Sequence, residues 1–138
     1  MREVEVSRFV PESPAVVRRV LSPERIVEWE RSFSVADAAS VDEETTLVTV
    51  TGPGVGFRLR FERRPDGYRY GVDGDEDVPG PFDHLETWLT VEPEDEGSRV
   101  TLRSAVALNA PVPFADRIAA WKRRGELRRA LDGLAESV

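Results

Sequence analysis

Apolar and polar residues alternate from Glu3 to Val10, placing Val4 and Val6 on one face and predicting a β-strand. The period then changes. Val16, Val17, Val20 and Leu21 recur at helical spacing behind Ser13-Pro14, a serine N-cap with proline at the first helical position. Ser22-Pro23 repeats the device and starts a second short helix carrying Ile26, Val27 and Trp29. From Ser32 the chain reads as consecutive strands near 33–39, 45–51, 55–64, 68–73, 83–92 and 98–109. Asp42-Glu43-Glu44, a glycine loop at 52–54, Pro65-Asp66-Gly67, residues 74–81 and Glu94-Asp95-Glu96-Gly97 supply the turns. The alternation assigns Val55, Phe57, Leu59 and Phe61, then Leu85, Thr87, Leu89 and Val91, then Val100, Leu102, Ser104, Val106 and Leu108 to inward faces.

A long helix is predicted from Pro113 to the end. Its apolar residues do not form one line: Phe114, Ile118 and Trp121 share one side, and Leu127, Leu131 and Leu134 lie more than a quarter turn away. The change falls at Gly125, so a kink or two different packing partners is expected around Arg124–Glu126. The sum is an α+β chain: a strand, two short helices, a six-strand antiparallel meander and a long C-terminal helix, read as one domain over 1–138.

The stretch Thr51-Gly52-Pro53-Gly54-Val55-Gly56-Phe57 suggests a phosphate loop until its context is considered. A phosphate loop must open a helix whose N-terminus faces the anion, whereas here strand patterns lie on both sides, so a hairpin is expected.

This element order, together with Ser13-Pro14, Val17, Leu21, Pro23-Glu24 and Trp29 at their spacings, resembles the helix-grip proteins of the START and Bet v 1-like superfamily (SRPBCC). That superfamily includes polyketide cyclase/dehydrase-like and coenzyme Q-binding-like members, and the chain resembles one of these. The hairpin Val91-Glu92-Pro93 through Gly97-Ser98-Arg99-Val100-Thr101 looks like that superfamily's usual stretch between its last two strands. The resemblance implies a sheet curled around the C-terminal helix and a cavity for an apolar or amphipathic small molecule. It implies no catalytic residue, and Arg18 and Arg19 stand where many relatives carry an aromatic residue.

Composition narrows the function classes. The net charge of −7 among 138 residues argues against a nucleic-acid partner, because binding a polyanion requires clustered basic residues to neutralise phosphates. Lys122-Arg123-Arg124 with Arg128 and Arg129 is the local exception, read as the solvated face of a helix. The absence of cysteine removes thiol chemistry and thiolate metal sites. No apolar run approaches the ~18 residues needed to span a bilayer, and nothing behind the charged N-terminus resembles a secretory h-region, so a cytoplasmic protein is expected. No cofactor is expected, and the oligomeric state is left open. Abundant arginine with Lys122 as the sole lysine, plus acidic turns at 73–77 and 92–96, suggests a salt-loving source. Unfolding that is no more resistant in molar potassium chloride would count against that source.

Candidate chemistry is sparse. His84 is the only histidine, and Asp83-His84-Leu85-Glu86 puts His84 and Glu86 on the outer face with Trp88. Tyr70, Thr87, Ser104 and Arg8 are the polar residues expected on the apolar face, suited to orient a ligand. Thr87 and Ser104 pairing with each other in a filled core is the alternative. Ser104 lacks an expected inward-facing histidine, lysine or carboxylate to activate it. Three readings follow. The first is a binding module with Phe57, Leu59, Phe61, Tyr70, Thr87, Leu89, Ser104, Phe114, Ile118 and Trp121 lining a cavity, bordered also by Tyr68. The second is a cyclase- or dehydratase-like enzyme, favoured if Glu86, Asp83 or Arg8 points inward. The third is an interaction protein with a filled core, working through Trp88 and the basic helix face.

Overall fold

The computed structural model describes residues 1–74, 82–108 and 114–138. β1 (Arg2–Val10) leads into α1 (Pro14–Val20) and α2 (Pro23–Glu30). β2 (Ser34–Ser40), β3 (Thr45–Gly52), β4 (Val55–Arg64), β5 (Gly67–Val72), β6 (Phe82–Glu94) and β7 (Gly97–Leu108) follow, then α3 (Ala115–Ser137). All strands pair antiparallel in one sheet of order β1-β7-β6-β5-β4-β3-β2, the six-strand meander with β1 added beside its last strand. The expected turn over 74–81 lies mostly outside the described residues, as do Asn109 and Pro113.

Local signals account for the short elements. Ser13 Oγ accepts from the Val16 amide at 3.4 Å and Ser22 Oγ from the Arg25 amide at 3.2 Å, each satisfying an amide that a helix start leaves unpaired. The glycine loop is the expected hairpin: Gly52 pairs with Val55 across Pro53-Gly54, and Gly54 takes the left-handed φ of 72° that closes so tight a turn. No helix follows it, so no dipole is aimed at an anion there.

The predicted inner faces pack together. Val4, Val10, Val17, Ile26, Val48, Val50, Phe61, Leu89, Val91, Val100, Leu102, Leu127, Leu131 and Leu134 form one buried cluster between the sheet and the helices. α3 rests on β1, β7 and α2, and its backbone makes no comparable approach to β4 or β5. That gap positions the site described below.

α3 is one continuous helix through Arg124–Glu126, and it corrects the side expected to face inward: its buried stripe runs Ala115, Ala119, Ala120, Arg123, Glu126, Leu127, Ala130, Leu131, Leu134. Phe114, Ile118 and Trp121 stand on the opposite side, 65%, 61% and 79% exposed. The leucines of the second half set the phase, and a rigid helix carries it upstream, so residues in register with Leu127 and Leu131 turn inward whatever their polarity. Gly125 meets nothing closer than the Arg129 side chain at 3.5 Å, whereas a Cβ on Gly133 would lie 2.5 Å from the Trp29 ring. At Gly133 α2 and α3 come into close contact.

Candidate functional site

The site begins where α2 stops. Arg31 takes a left-handed φ of 62° and ends the helix, and Arg129 Nε of α3 donates to the Glu30 carbonyl at 2.9 Å, pairing a carbonyl that the helix end leaves open. Glu30, the last residue of α2, is thereby held with its side chain buried beneath the sheet. Arg123 enters from α3, only 5% exposed, and closes the space between the two helices and the strands.

Every nitrogen of the Arg123 guanidinium has an acceptor. Nη1 pairs with Glu30 Oε1 and, at 3.3 Å, with Glu126 Oε1. Nη2 donates to Thr87 Oγ1 at 2.7 Å and approaches Glu30 Oε2 and the Tyr70 oxygen, each at 3.5 Å. Nε donates to Ser104 Oγ at 3.1 Å. Ser104 passes its one proton to the Glu86 carbonyl at 3.1 Å, so Thr87 is the donor in the 2.9 Å Thr87–Ser104 pair. Tyr70 donates to Glu30 Oε2 at 2.6 Å and Ser32 to Glu126 Oε2. A buried guanidinium facing two carboxylates is stable only when satisfied in this way.

The electrostatics follow from that enclosure. Burial raises the Tyr70 hydroxyl well above its usual pKa, and the neighbouring Glu30 carboxylate raises it further, so Tyr70 stays protonated as a donor. Burial alone would weaken the charge on Arg123, but Glu30, the Tyr70 oxygen and Glu126 outweigh it and hold the guanidinium more firmly protonated than in water.

Beside this cluster, in the gap between α3 and the middle strands, lies a recess of about 270 Å³. Phe33, Phe57, Leu59, Leu85, Val106 and Ala119 make its apolar wall, and Phe33 meets Phe57 edge to face at 5.0 Å. Glu30, Tyr70, Arg123 and Glu126 border one side, with Ile118 and Lys122 also in the lining.

The residues singled out by sequence divide into three groups. Phe57, Leu59, Tyr70 and Ile118 line the recess. Phe61, Leu89, Thr87, Ser104 and Tyr68 are buried in the core, not in that lining: Phe61 stacks on Tyr70 at 4.4 Å, and Thr87 and Ser104 serve Arg123. Phe114 and Trp121 face outward, against the expectation that they border a cavity. Arg8 does not line the recess either: it is exposed and pairs with Asp132 at 2.8 Å. On the outer face of the sheet Arg69 pairs with Glu86, His84 sits 3.5 Å from Glu86, and the Arg103 guanidinium covers Trp88 at 4.1 Å. The Asp83 side chain lies outside the described residues.

Sequence reasoning missed Glu30, Arg123 and Glu126, and expected no inward-facing carboxylate at all. A usable signal existed for Arg123. Ala119, Arg123, Leu127, Ala130 and Leu134 repeat at steps of three and four, so tracing the stripe through alanine instead of the largest side chains puts Arg123 inside.

A family model described as "Polyketide cyclase / dehydrase and lipid transport" matches residues 1–138. The chain belongs to this family. Its fold is shared by the protein TTHA0849 from Thermus thermophilus, at 20% identity and a TM-score of 0.73 over 98% of this chain and 95% of that one. A START superfamily protein from Mycobacterium smegmatis is similar at 13% identity and a TM-score of 0.71, covering 99% and 96%. The di-domain ARO/CYC BexL from the BE-7585A biosynthetic pathway aligns at 20% identity and a TM-score of 0.71, over 99% of this chain and 46% of that one. At such identities these likenesses concern the fold alone, and they agree with the helix-grip architecture. No curated protein matches the chain.

Proposed function

We propose that this family member binds a compact, largely apolar small molecule in the recess between α3 and the middle strands. The observation that carries the reading is the recess itself: about 270 Å³ walled mainly by Phe33, Phe57, Leu59, Leu85, Val106 and Ala119. A small-molecule site is typically a preformed, mostly apolar hollow with a few fixed polar groups, of roughly 300–1,000 Å³. A space just below that range suits one or two rings or a short acyl chain, not a long-chain lipid. The family description, which names both cyclase/dehydrase chemistry and lipid transport, is consistent with an apolar ligand.

An enzymatic reading has one observation in its favour, the ionisable Glu30, Tyr70 and Arg123 at the recess wall. Their mutual saturation weighs against it. Tyr70 donates its hydrogen bond to Glu30, Arg123 spends its nitrogens on the protein, and Ser104 has no free base, so attack on a substrate would first require breaking the cluster. A passive, polar-edged wall for binding is what remains.

Native mass spectrometry of the protein purified from its own kind of host, followed by denaturing extraction, tests the proposal. The expected result is a co-purifying small molecule that Ala119→Phe, which fills the recess, excludes. A clean apoprotein that also fails to bind a panel of one- and two-ring apolar probes would reject it.

A further inference from the structure

We propose that the outward face of the first half of α3 docks on an anionic lipid bilayer. Ile118 and Trp121, three residues apart, lie on one side of α3, and Phe114 stands just before them as the residue that starts the helix, at a left-handed φ of 68°. Each keeps more than half of its surface in water. Single exposed apolar residues are ordinary, but a row of three with two aromatic rings marks a contact surface.

The charges around the row identify its partner. Arg117, Arg124 and Arg128 flank it on one side and Lys122 on the other, all exposed. The Arg117 guanidinium lies 5.0 Å over the Phe114 ring. Asp116 is the only acidic residue between Phe114 and Gly125, and it pairs with the N-terminal amine of Met1 at 2.8 Å. A basic strip thus borders an apolar ridge on a chain whose net charge is −7. Tryptophan and phenylalanine bordered by arginine and lysine is the composition of a helix that lies in the plane of a membrane interface. An anionic surface attracts this face and repels the rest of the molecule, so contact is confined to one orientation. A second copy meeting the row through a two-fold axis would bring the two basic strips together, which disfavours self-association here.

Ile118 and Lys122 belong both to this face and to the lining of the recess, so docking would bring the recess against the bilayer surface. The docking surface rests on the exposed side chains alone and stands whether or not the recess takes a ligand.

Co-sedimentation of the full chain with vesicles at low ionic strength tests this, using phosphatidylcholine alone and phosphatidylcholine mixed equally with phosphatidylglycerol. The expected result is binding to the mixed vesicles only, weakened about tenfold by Trp121→Ser and comparably by Arg117→Gln with Arg124→Gln. Val41→Ser, at an exposed apolar position away from α3, should leave it unchanged. Absence of binding to mixed vesicles, equal binding to both compositions, or indifference to Trp121→Ser would each overturn the proposal. So would a dimer in sedimentation equilibrium that Trp121→Ser dissociates without any vesicle binding, since that assigns the row to a second copy.

Discussion

The two halves of α3 face the same interior and fill it differently. The second half presents Leu127, Leu131 and Leu134, lets Trp29 close against Gly133, and packs into the buried cluster. The first half presents Ala115, Ala119, Ala120 and Arg123, and the recess lies next to it. Side-chain volume on one helical stripe is therefore what separates solid core from hollow: leucine reaches the sheet, alanine stops short, and Arg123 bridges the gap as a polar strut. The same helix also reverses the usual distribution. Its bulkiest apolar residues are outside in the first half and inside in the second.

The largest effect is expected at the strut. Arg123→Met removes the guanidinium between Glu30 and Glu126 and should cost about 3–5 kcal/mol, because it leaves buried carboxylates without this counter-charge. Urea unfolding measures it, and a loss under about 1 kcal/mol would mean that water enters and the strut is dispensable.

The contrast between the halves is sharpened by opposite substitutions. Leu131→Ala should cost roughly 2–5 kcal/mol through a new cavity in the filled half. Ala119→Leu should change stability by less than about 1.5 kcal/mol, since the added methyl groups enter existing space, while it weakens capture of apolar probes. Equal costs for the two would break the comparison.

Next come the two glycines. Gly133→Ala should cost about 1–3 kcal/mol by driving a methyl into the Trp29 ring. Gly125→Ala should stabilise by about 0.4–1 kcal/mol, because its Cβ meets only ordinary contact and alanine favours the helix. Thermal unfolding of the pair reads both signs.

The smallest effect concerns pH. The Tyr70 pKa is raised in the folded protein, so the unfolded chain gives up this proton first, near the ordinary value of 10.0. The associated stability is whole below that pH and is lost as pH rises through it toward the folded value. Tyr70→Phe should cost about 1 kcal/mol near neutrality and flatten the alkaline decline. Unfolding free energies collected from neutral to strongly alkaline pH give the slope, and parallel curves for the two proteins would exclude the effect.

Much of the fold was legible because its signals are short in range. Ser13-Pro14 and Ser22-Pro23 cap their helices with atoms three residues away, and Phe57, Leu59 and Phe61 alternate because neighbouring side chains on a strand point to opposite faces. The family resemblance rested on such elements, and the match over 1–138 agrees with it. The site was legible in part. Phe57, Leu59 and Tyr70 were read correctly as inward, since strand parity decides that locally. Phe114 and Trp121 stand outside despite their bulk, and Glu30, Arg123 and Glu126 lie inside despite their charge, because bulk alone does not predict burial nor charge exposure.

The sequence by itself determined the order, type and approximate bounds of the elements, the antiparallel meander and the inner faces of the strands. These depend on alternation, caps and turns, which act over a few residues. Only the tertiary structure decided where the interior stays hollow and what satisfies the charged residues that turn into it. Burying Arg123 is unfavourable until Glu30, 93 residues away, arrives with Tyr70, Thr87 and Ser104 to satisfy it. None of these partners is adjacent to it in the chain, and the low-dielectric space that makes their pairing decisive exists only once the sheet has curled around the helix.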